Sequence, residues 1–406
     1  VIVLKGSVRR RNCTCKKKRC TCGAKYFYVI DTGKNPANGN RKQKSKSGFS
    51  TQAEAWDACN EAIYELKNGT YVHESNAIFK DFSQEWLVHY QKKHRIKVST
   101  VRIRRHEIGL LMPYFAHIRI KDITKKKYQE ALNDLKDKDY ADNTLSGVHA
   151  TGRMIFKMAM EYDMIKKDPT QYAMVPKSPK TVEELEAGKE IPSYLEKEEL
   201  SLFLKMSKEK GLDKDHETFM LLAYTGMRVG ELCVLKWADI DHENCTISIT
   251  KTYYNPNNNT VLYGLLPPKT KASKRVIEVD EVVLSLLDRH KSRQKPAKMR
   301  LRDVYLDEDF VFANTKRFPG YPELIKTVEN RMRRLLKLAG LNQELTPHSL
   351  RHTHTSLLAE AGVSLPQIMD RLGHVDDDTT KKVYLHVTKT MKKEASQKFS
   401  ELMKGL

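Results

Sequence analysis

Six side chains near the C-terminal end of the sequence have the types and spacing for chemistry on a phosphate ester. Within about forty residues, Thr346–His386, stand His348, Arg351, His352, His374, Tyr384 and His386. An Arg holds a pair of phosphate oxygens through its planar fork. A His exchanges protons near neutral pH, and a Tyr hydroxyl serves as a covalent nucleophile. Together these are the parts of an attack on a phosphodiester that needs no metal. Histidines scattered on a polar helical segment would by themselves read as a solvated surface, so the case rests on what the other elements bring to them.

The chain of 406 residues is too long for one ordinary domain, and two or three are expected. An apolar fraction of 40% with 8% aromatics is enough for proper cores. The formal charge of +21 and a pI near 9.5 call for an extended polyanion, nucleic acid or an anionic membrane. No apolar run approaches the roughly 18 residues that span a bilayer, and no signal-peptide pattern opens the chain. The expectation is a soluble, cytoplasmic nucleic-acid binder with no membrane partner. Seven cysteines, an odd number and without an export signal, fit a reducing compartment better than a disulfide framework.

Charge is concentrated at the N-terminus, where residues 1–50 hold fourteen Lys or Arg against the single acid Asp31. These basic residues are interleaved with apparent strands, Lys25–Thr32 and Arg41–Phe49, around an Asn/Pro/Gly turn at 35–40. A helix follows, opened by a capping box of Thr51 and Glu54 and stopped at Gly69. A small basic sheet backed by a helix can enter a major groove. Cys13, Cys15, Cys20 and Cys22 form two close thiol pairs that would suit a structural zinc, with free thiols as the competing reading.

Residues 75–175 read as helical, from Phe79, Phe82, Trp86, Leu87 and Tyr90 onward, with further helices over Ser99–Phe115, Thr124–Lys136 and Asn143–Tyr162. Prolines 176, 179 and 192 punctuate a linker over 176–192. Helices Glu196–Lys210 and Glu217–Tyr224 follow. The second ends at Thr225-Gly226-Met227-Arg228, where Gly226 permits a tight turn that presents Arg228 at a helix start, a place that favours phosphate. Taken alone, Arg228 would be an ordinary surface residue. Period-two patterning predicts one strand over 245–254, then a hairpin whose turn carries Lys269, Lys271 and Lys274. A Lys there can protonate a leaving oxygen, although most hairpin lysines only keep a turn soluble. From Glu281 the chain reads as helical to its end, except for a short strand over Asp307–Asn314. The fold class is multidomain, mainly α with small β-sheets (α+β).

In this order the pieces resemble the tyrosine recombinase (phage integrase) family. The resemblance rests on TGMRVGEL at Thr225–Leu232, a hairpin Lys, HSLRH at His348–His352, LGH at Leu372–His374, and Tyr384-Leu385-His386. Ten positions separate His374 from Tyr384 where many members use nine, but Tyr384 is the only Tyr between His374 and the C-terminus.

The resemblance implies an arm-type DNA-binding domain over 1–72, a helical SAM-like core-binding domain over 75–175, the linker 176–192, and a mixed α/β catalytic domain over 193–406. It implies Arg228, Lys269, His348, Arg351 and His374 as catalytic residues around the nucleophile Tyr384, with Lys271 as the alternative lysine. Glu231 would brace the Arg228 turn, and His352, His354 and His386 would be structural or would support the catalytic residues from behind. Catalysis would need neither ATP nor a metal. Partners would be double-stranded attachment sites of core and arm type, other copies of the chain in a tetramer, a directionality factor and a DNA-bending host protein. The alternatives are a type IB topoisomerase-like enzyme and a DNA-binding regulator without catalysis.

Overall fold

Three antiparallel strands come first, β1 (Gly6–Arg10), β2 (Tyr26–Lys34) and β3 (Arg41–Phe49), in that order across one sheet. Alternation sorts their side chains. Tyr28 and Ile30 of β2 turn to a small core shared with Cys59 and Ala62 of α1 (Gln52–Lys67), whereas most of the Lys-rich β3 is exposed. At the start of α1, Glu54 N–H donates to Thr51 Oγ1 and Thr51 N–H to Glu54 Oε2, each at 3.2 Å, the reciprocal capping that Thr51 and Glu54 predict. β1 was not expected, because GSVRR offers one apolar side chain and hence no readable period.

The computed structural model describes residues 5–11, 23–34, 41–67, 76–94, 96–178, 193–268, 271–374, 377–388, 400 and 403. The zinc reading of Cys13, Cys15, Cys20 and Cys22 and the lysine Lys269 therefore fall outside the described residues. The chain divides into two compact units, Val1–Pro179 and Lys180–Leu406. Among the described residues no helix is long and apolar enough to cross a membrane.

The first unit continues with α2 (Phe79–His94), α3 (Val98–Phe115), α4 (Lys125–Asp137) and α5 (Asp142–Glu161). Their apolar stripes meet in an aromatic core of Phe79, Phe82, Trp86, Phe115, Tyr128 and Phe156. Buried Glu107 fastens α3 to α5. It accepts from Arg104 Nη1 at 2.8 Å and from Thr151 Oγ1 at 2.5 Å, which meets the requirement that a buried charge be paired.

The second unit contains α6 (Lys197–Lys210), α7 (Asp215–Thr225), α8 (Val229–Leu232), β4 (Ile240–Asp241), β5 (Thr246–Ile249), β6 (Thr252–Tyr254), β7 (Gly264–Leu266) and β8 (Arg275–Glu278). These are followed by α9 (Glu281–Arg300), α10 (Ile325–Leu338), α11 (Pro347–Glu360) and α12 (Leu365–Leu372), and by a helix over 378–388, here α13. Apart from Tyr224 near its end, α7 is buried around most of its circumference, the mark of a central helix, and packs among Phe203, Val234, Ile247, Leu287 and Leu350.

Two expectations are corrected here. The strand over 245–254 breaks at Thr250-Lys251, so that β5 pairs with β8 and β6 pairs with β7 in separate sheets. The reversal is thus the Asn-rich segment between β6 and β7, and the lysine-bearing segment is an excursion between β7 and β8, not a hairpin tip. Asp307–Asn314 forms no strand. Phe310 and Ala313 make isolated bridges to Lys236 and Pro322 on either side of a turn, which buries the same apolar residues without a ladder.

Candidate active site

α7 ends at Gly226, whose φ of 61° lies in the left-handed region that glycine enters without steric cost. A Cβ there would stand 2.7 Å from His354 Cδ2 and 2.8 Å from Leu372 Cδ2, so the turn closes directly against α11 and α12. Arg228 then becomes the N-cap of α8. Its backbone N–H and its Nη1 donate to the two oxygens of Glu231, at 2.9 and 3.0 Å. Arg275 of β8 donates to the same carboxylate through Nη2 at 3.0 Å. Burial pushes the Glu231 pKa up, but the bonds and charges of Arg275 and Arg228 outweigh it and leave the carboxyl below its usual range. Glu231 is thus the brace the sequence predicted, and it joins the Arg228 turn to β8.

Arg351 projects from α11 into the interior and is 1% exposed. Its Nη1 donates to Gly226 O at 2.6 Å, and its Nη2 to Leu372 O at 2.5 Å and His374 Nε2 at 2.6 Å. No carboxylate pairs with it among the described residues, since Glu231 and Asp377 act on it only from a distance. Its Nε is buried without a hydrogen-bond partner. Burial, followed by repulsion from Arg228 and Arg275, lowers its pKa to about 9, still cationic at neutral pH. A buried cation without a paired anion is costly, and groups perturbed in this way cluster at functional sites.

His374 follows the left-handed Gly373 (φ 69°) that ends α12, and its N–H donates to Met369 O at 2.9 Å. A guanidinium can only donate, so Nε2 of His374 is an acceptor and the ring proton sits on Nδ1. That nitrogen lies 2.9 Å from both Thr380 Oγ1 and Asp377 Oδ2. Burial first, then Arg351, pushes the His374 pKa down to about 4, with Asp377 opposing. Gly373 also admits the lysine-bearing segment. A Cβ at Gly373 would stand 2.9 Å from Ala272 O and 3.0 Å from Ser273 Cα. Ser273 Oγ donates to Gly373 O at 3.3 Å, and Arg275 Nε to Arg371 O at 2.9 Å. The short turn Lys271–Ser273 is thereby docked on the LGH segment.

His348 lies one turn before Arg351 on α11, exposed on one edge and crowded on the others. That crowding, then repulsion from Arg351 and Arg228, holds its pKa below the usual His value. His352 packs edge-on against it, ring centroids 4.9 Å apart, and burial lowers the His352 pKa to about 4. His354 is a buried link: its Nδ1 meets Ala223 O at 2.9 Å, and its Nε2 accepts from Arg371 Nε at 3.2 Å. Tyr384 on α13 is partly exposed and packs on Ala359, Ile368, Leu372 and Val387. It is placed by packing, without a hydrogen bond from its hydroxyl to another described residue.

The structure thus gathers Arg228, His348, Arg351 and His374 into one charged cluster and sets Tyr384 on the helix that begins beside His374. Sequence reasoning missed Arg275, Asp377 and Thr380. The run Asp376-Asp377-Asp378 was the available signal for the second, but an acidic run usually reads as a solvated face.

Three family models match in series: the arm DNA-binding domain over residues 16–66, the SAM-like N-terminal domain of phage integrases over 78–136, and the phage integrase family itself over 193–391. A probable integrase of prophage ps2 in Lactococcus lactis is 30% identical over 327 residues, covering 78% of this chain and 81% of that protein. An integrase of a Staphylococcus phage is 29% identical over 346 residues, covering 80% and 93%. In fold the chain is similar to the Tn1549 transposon integrase in complex with a circular intermediate DNA (TM-score 0.59, 22% identity, 75% of this chain and 94% of that one). It is also similar to a lambda integrase tetramer bound to a Holliday junction (TM-score 0.54, 19% identity, 93% and 94%). The chain belongs to the phage integrase family of tyrosine recombinases and is a site-specific DNA strand-exchange enzyme of mobile-element integration and excision.

Proposed function

We propose that Arg228 and Arg351 hold the non-bridging oxygens of a scissile phosphate while Tyr384 attacks its phosphorus, giving a 3′-phosphotyrosyl link to the enzyme and a free 5′-hydroxyl. The observation that carries this reading is Arg351: a buried guanidinium that, among the described residues, has no paired carboxylate and no partner for its Nε, beside a second arginine. Charge fixed in advance where charge grows in the transition state is the usual main source of rate.

His348 takes the Tyr384 proton. Its depressed pKa keeps it neutral near pH 7, as a proton acceptor must be. His374 hydrogen-bonds the same phosphate. The leaving 5′-oxygen receives its proton from Lys269, with Lys271 as the alternative, and the docking of residues 271–275 on Gly373 supports a lysine from this segment. Because the phosphotyrosine retains the bond energy, a 5′-hydroxyl from a second duplex can reverse the step. Strand exchange then needs neither ATP nor a catalytic metal.

Domain roles follow the same reading: arm-site binding by residues 1–72, core-site binding by 75–175, the linker 176–192, and catalysis by 193–406. The open face of the N-terminal sheet, lined by Lys5, Arg9, Arg41 and Gln43, supports the first. The two close thiol pairs support a structural zinc in that domain. The likeness to a lambda integrase tetramer on a Holliday junction supports a tetramer here too, acting in the bacterial cytoplasm with a directionality factor and a DNA-bending host protein. A nicked duplex carrying the attachment site that flanks the gene tests the chemistry. The full chain is expected to form a covalent adduct on a denaturing gel, and Tyr384→Phe none. An adduct that survives in Tyr384→Phe overturns the reading.

A further inference from the structure

Asp377 stands between the two halves of the site. Its Oδ2 lies 2.9 Å from His374 Nδ1 and accepts from Thr380 Oγ1 at 2.8 Å. Its Oδ1 accepts from Thr379 N–H at 3.2 Å, and its backbone carbonyl from Lys381 N–H at 3.1 Å. One residue therefore caps the N-terminus of the helix that carries Tyr384 and holds the imidazole that is to face the phosphate.

The hydrogen bonds around His374 set a problem that Asp377 solves. With Arg351 donating to Nε2, the imidazole presents a lone pair there. A lone pair repels the anionic oxygen of a phosphodiester. To donate to that oxygen, Nε2 must gain a proton, either by moving the one on Nδ1 or by adding a second. Moving it would leave the Nδ1 lone pair against the Asp377 carboxylate. Adding a second makes an imidazolium held between two anions, the carboxylate at Nδ1 and the phosphate at Nε2, which is the arrangement that favours a charged His.

We propose that Asp377 is a positioning residue of the strand-cleavage reaction, which fixes the His374 ring and stabilises it as an imidazolium once the scissile phosphate replaces Arg351 at Nε2. The proton comes from solvent, and His374 is neutral in the DNA-free protein. This rests on the reading above in which His374 contacts the phosphate. The charged and titratable groups that face His374 are Arg351 of α11, Arg228 of the turn before α8, Arg275 of β8, and Asp377. Arg351, Arg228 and Arg275 oppose the charged form, and Asp377 is the group that favours it. His348 and His352 of α11 also feel the Asp377 charge.

The experiment compares the full-length protein with Asp377→Asn, Asp377→Ala, His374→Ala and Tyr384→Phe in single-turnover cleavage of the nicked attachment-site duplex across pH, with DNA binding measured in parallel. Asn caps a helix as well as Asp does, so Asp377→Asn keeps the cap and removes the charge. Expected is a loss of cleavage of at least about 10–100-fold near pH 8, the loss typical when the partner behind a metal-binding His is removed. Binding should hold, and the alkaline limb of the pH profile should move about one unit or more toward acid. A move of the acid limb instead would assign the effect to His348 and overturn the proposal. So would Asp377→Asn matching wild type while Asp377→Ala is slow, which would leave Asp377 a helix cap and no more. Wild-type cleavage by His374→Ala would remove the underlying reading of His374, a result distinct from either of these.

Discussion

Replacing Glu231 by Gln tests the charge balance one residue at a time. Its carboxylate is the shared partner of Arg228 and of Arg275, whose side chain is 5% exposed. Removing one partner of a buried pair leaves the other uncompensated, at a cost of about 3–5 kcal/mol. Glu231→Gln is expected to lower stability by that amount in urea unfolding and to abolish cleavage. A variant as stable as wild type would show that the arginines find other counter-ions. Legibility at this scale followed chemistry. Arg228, His348, Arg351, His374 and Tyr384 could be proposed from sequence because few other residue types do what the reaction asks. Arg275 and Asp377 could not, because their task is to hold other residues, and what they hold is set by approach in space between segments far apart in sequence.

The element with the most consequence for the site is the turn at Gly373. An Ala there must adopt a left-handed backbone, at about 1–2 kcal/mol, and its Cβ would press on Ala272 O and Ser273 Cα. Gly373→Ala is expected to push residues 271–275 off the LGH segment. Cleavage should fall at least tenfold while DNA affinity in gel shifts stays near wild type; unchanged cleavage would show that this docking does not position the lysine. The helices were readable because their apolar stripes persist over several turns, as in α2–α5. The strands of the catalytic unit were not. Ile247, Ile249 and Tyr253 stay in phase across Thr250-Lys251 with no Gly or Pro to mark the change of sheet, and β6 and β7 have three residues each, too few to establish a period. The segment Phe310–Ala313 buries its apolar side chains from a turn, which imitates a strand in sequence alone.

On the scale of the whole molecule, the histidines tie stability to pH. His348, His352, His354 and His374 all hold a proton less readily in the fold than in the unfolded chain, with values near 4, 3 and 4 for the last three. Between those values and about 6.5, the unfolded chain binds more protons than the folded one, so stability rises with pH in that window. Their contribution is complete above about pH 6.5 and is lost as the pH falls toward 4. The melting temperature is expected to be level from pH 7 to 8 and to drop steadily from 6.5 to 4; a level curve through that window would contradict it. The basic balance of the whole chain was plain from the sequence and pointed to a polyanion, with nucleic acid the better fit. The division into two units was harder to place, since three prolines mark a region and not a point. The buried guanidinium of Arg351, which meets no carboxylate among the described residues, has one further consequence, in residence time. A phosphate that relieves that charge on arrival must restore it on departure, so the free energy that favours capture also slows release. A site built this way is suited to a few events carried to completion on one DNA, and poorly suited to rapid turnover.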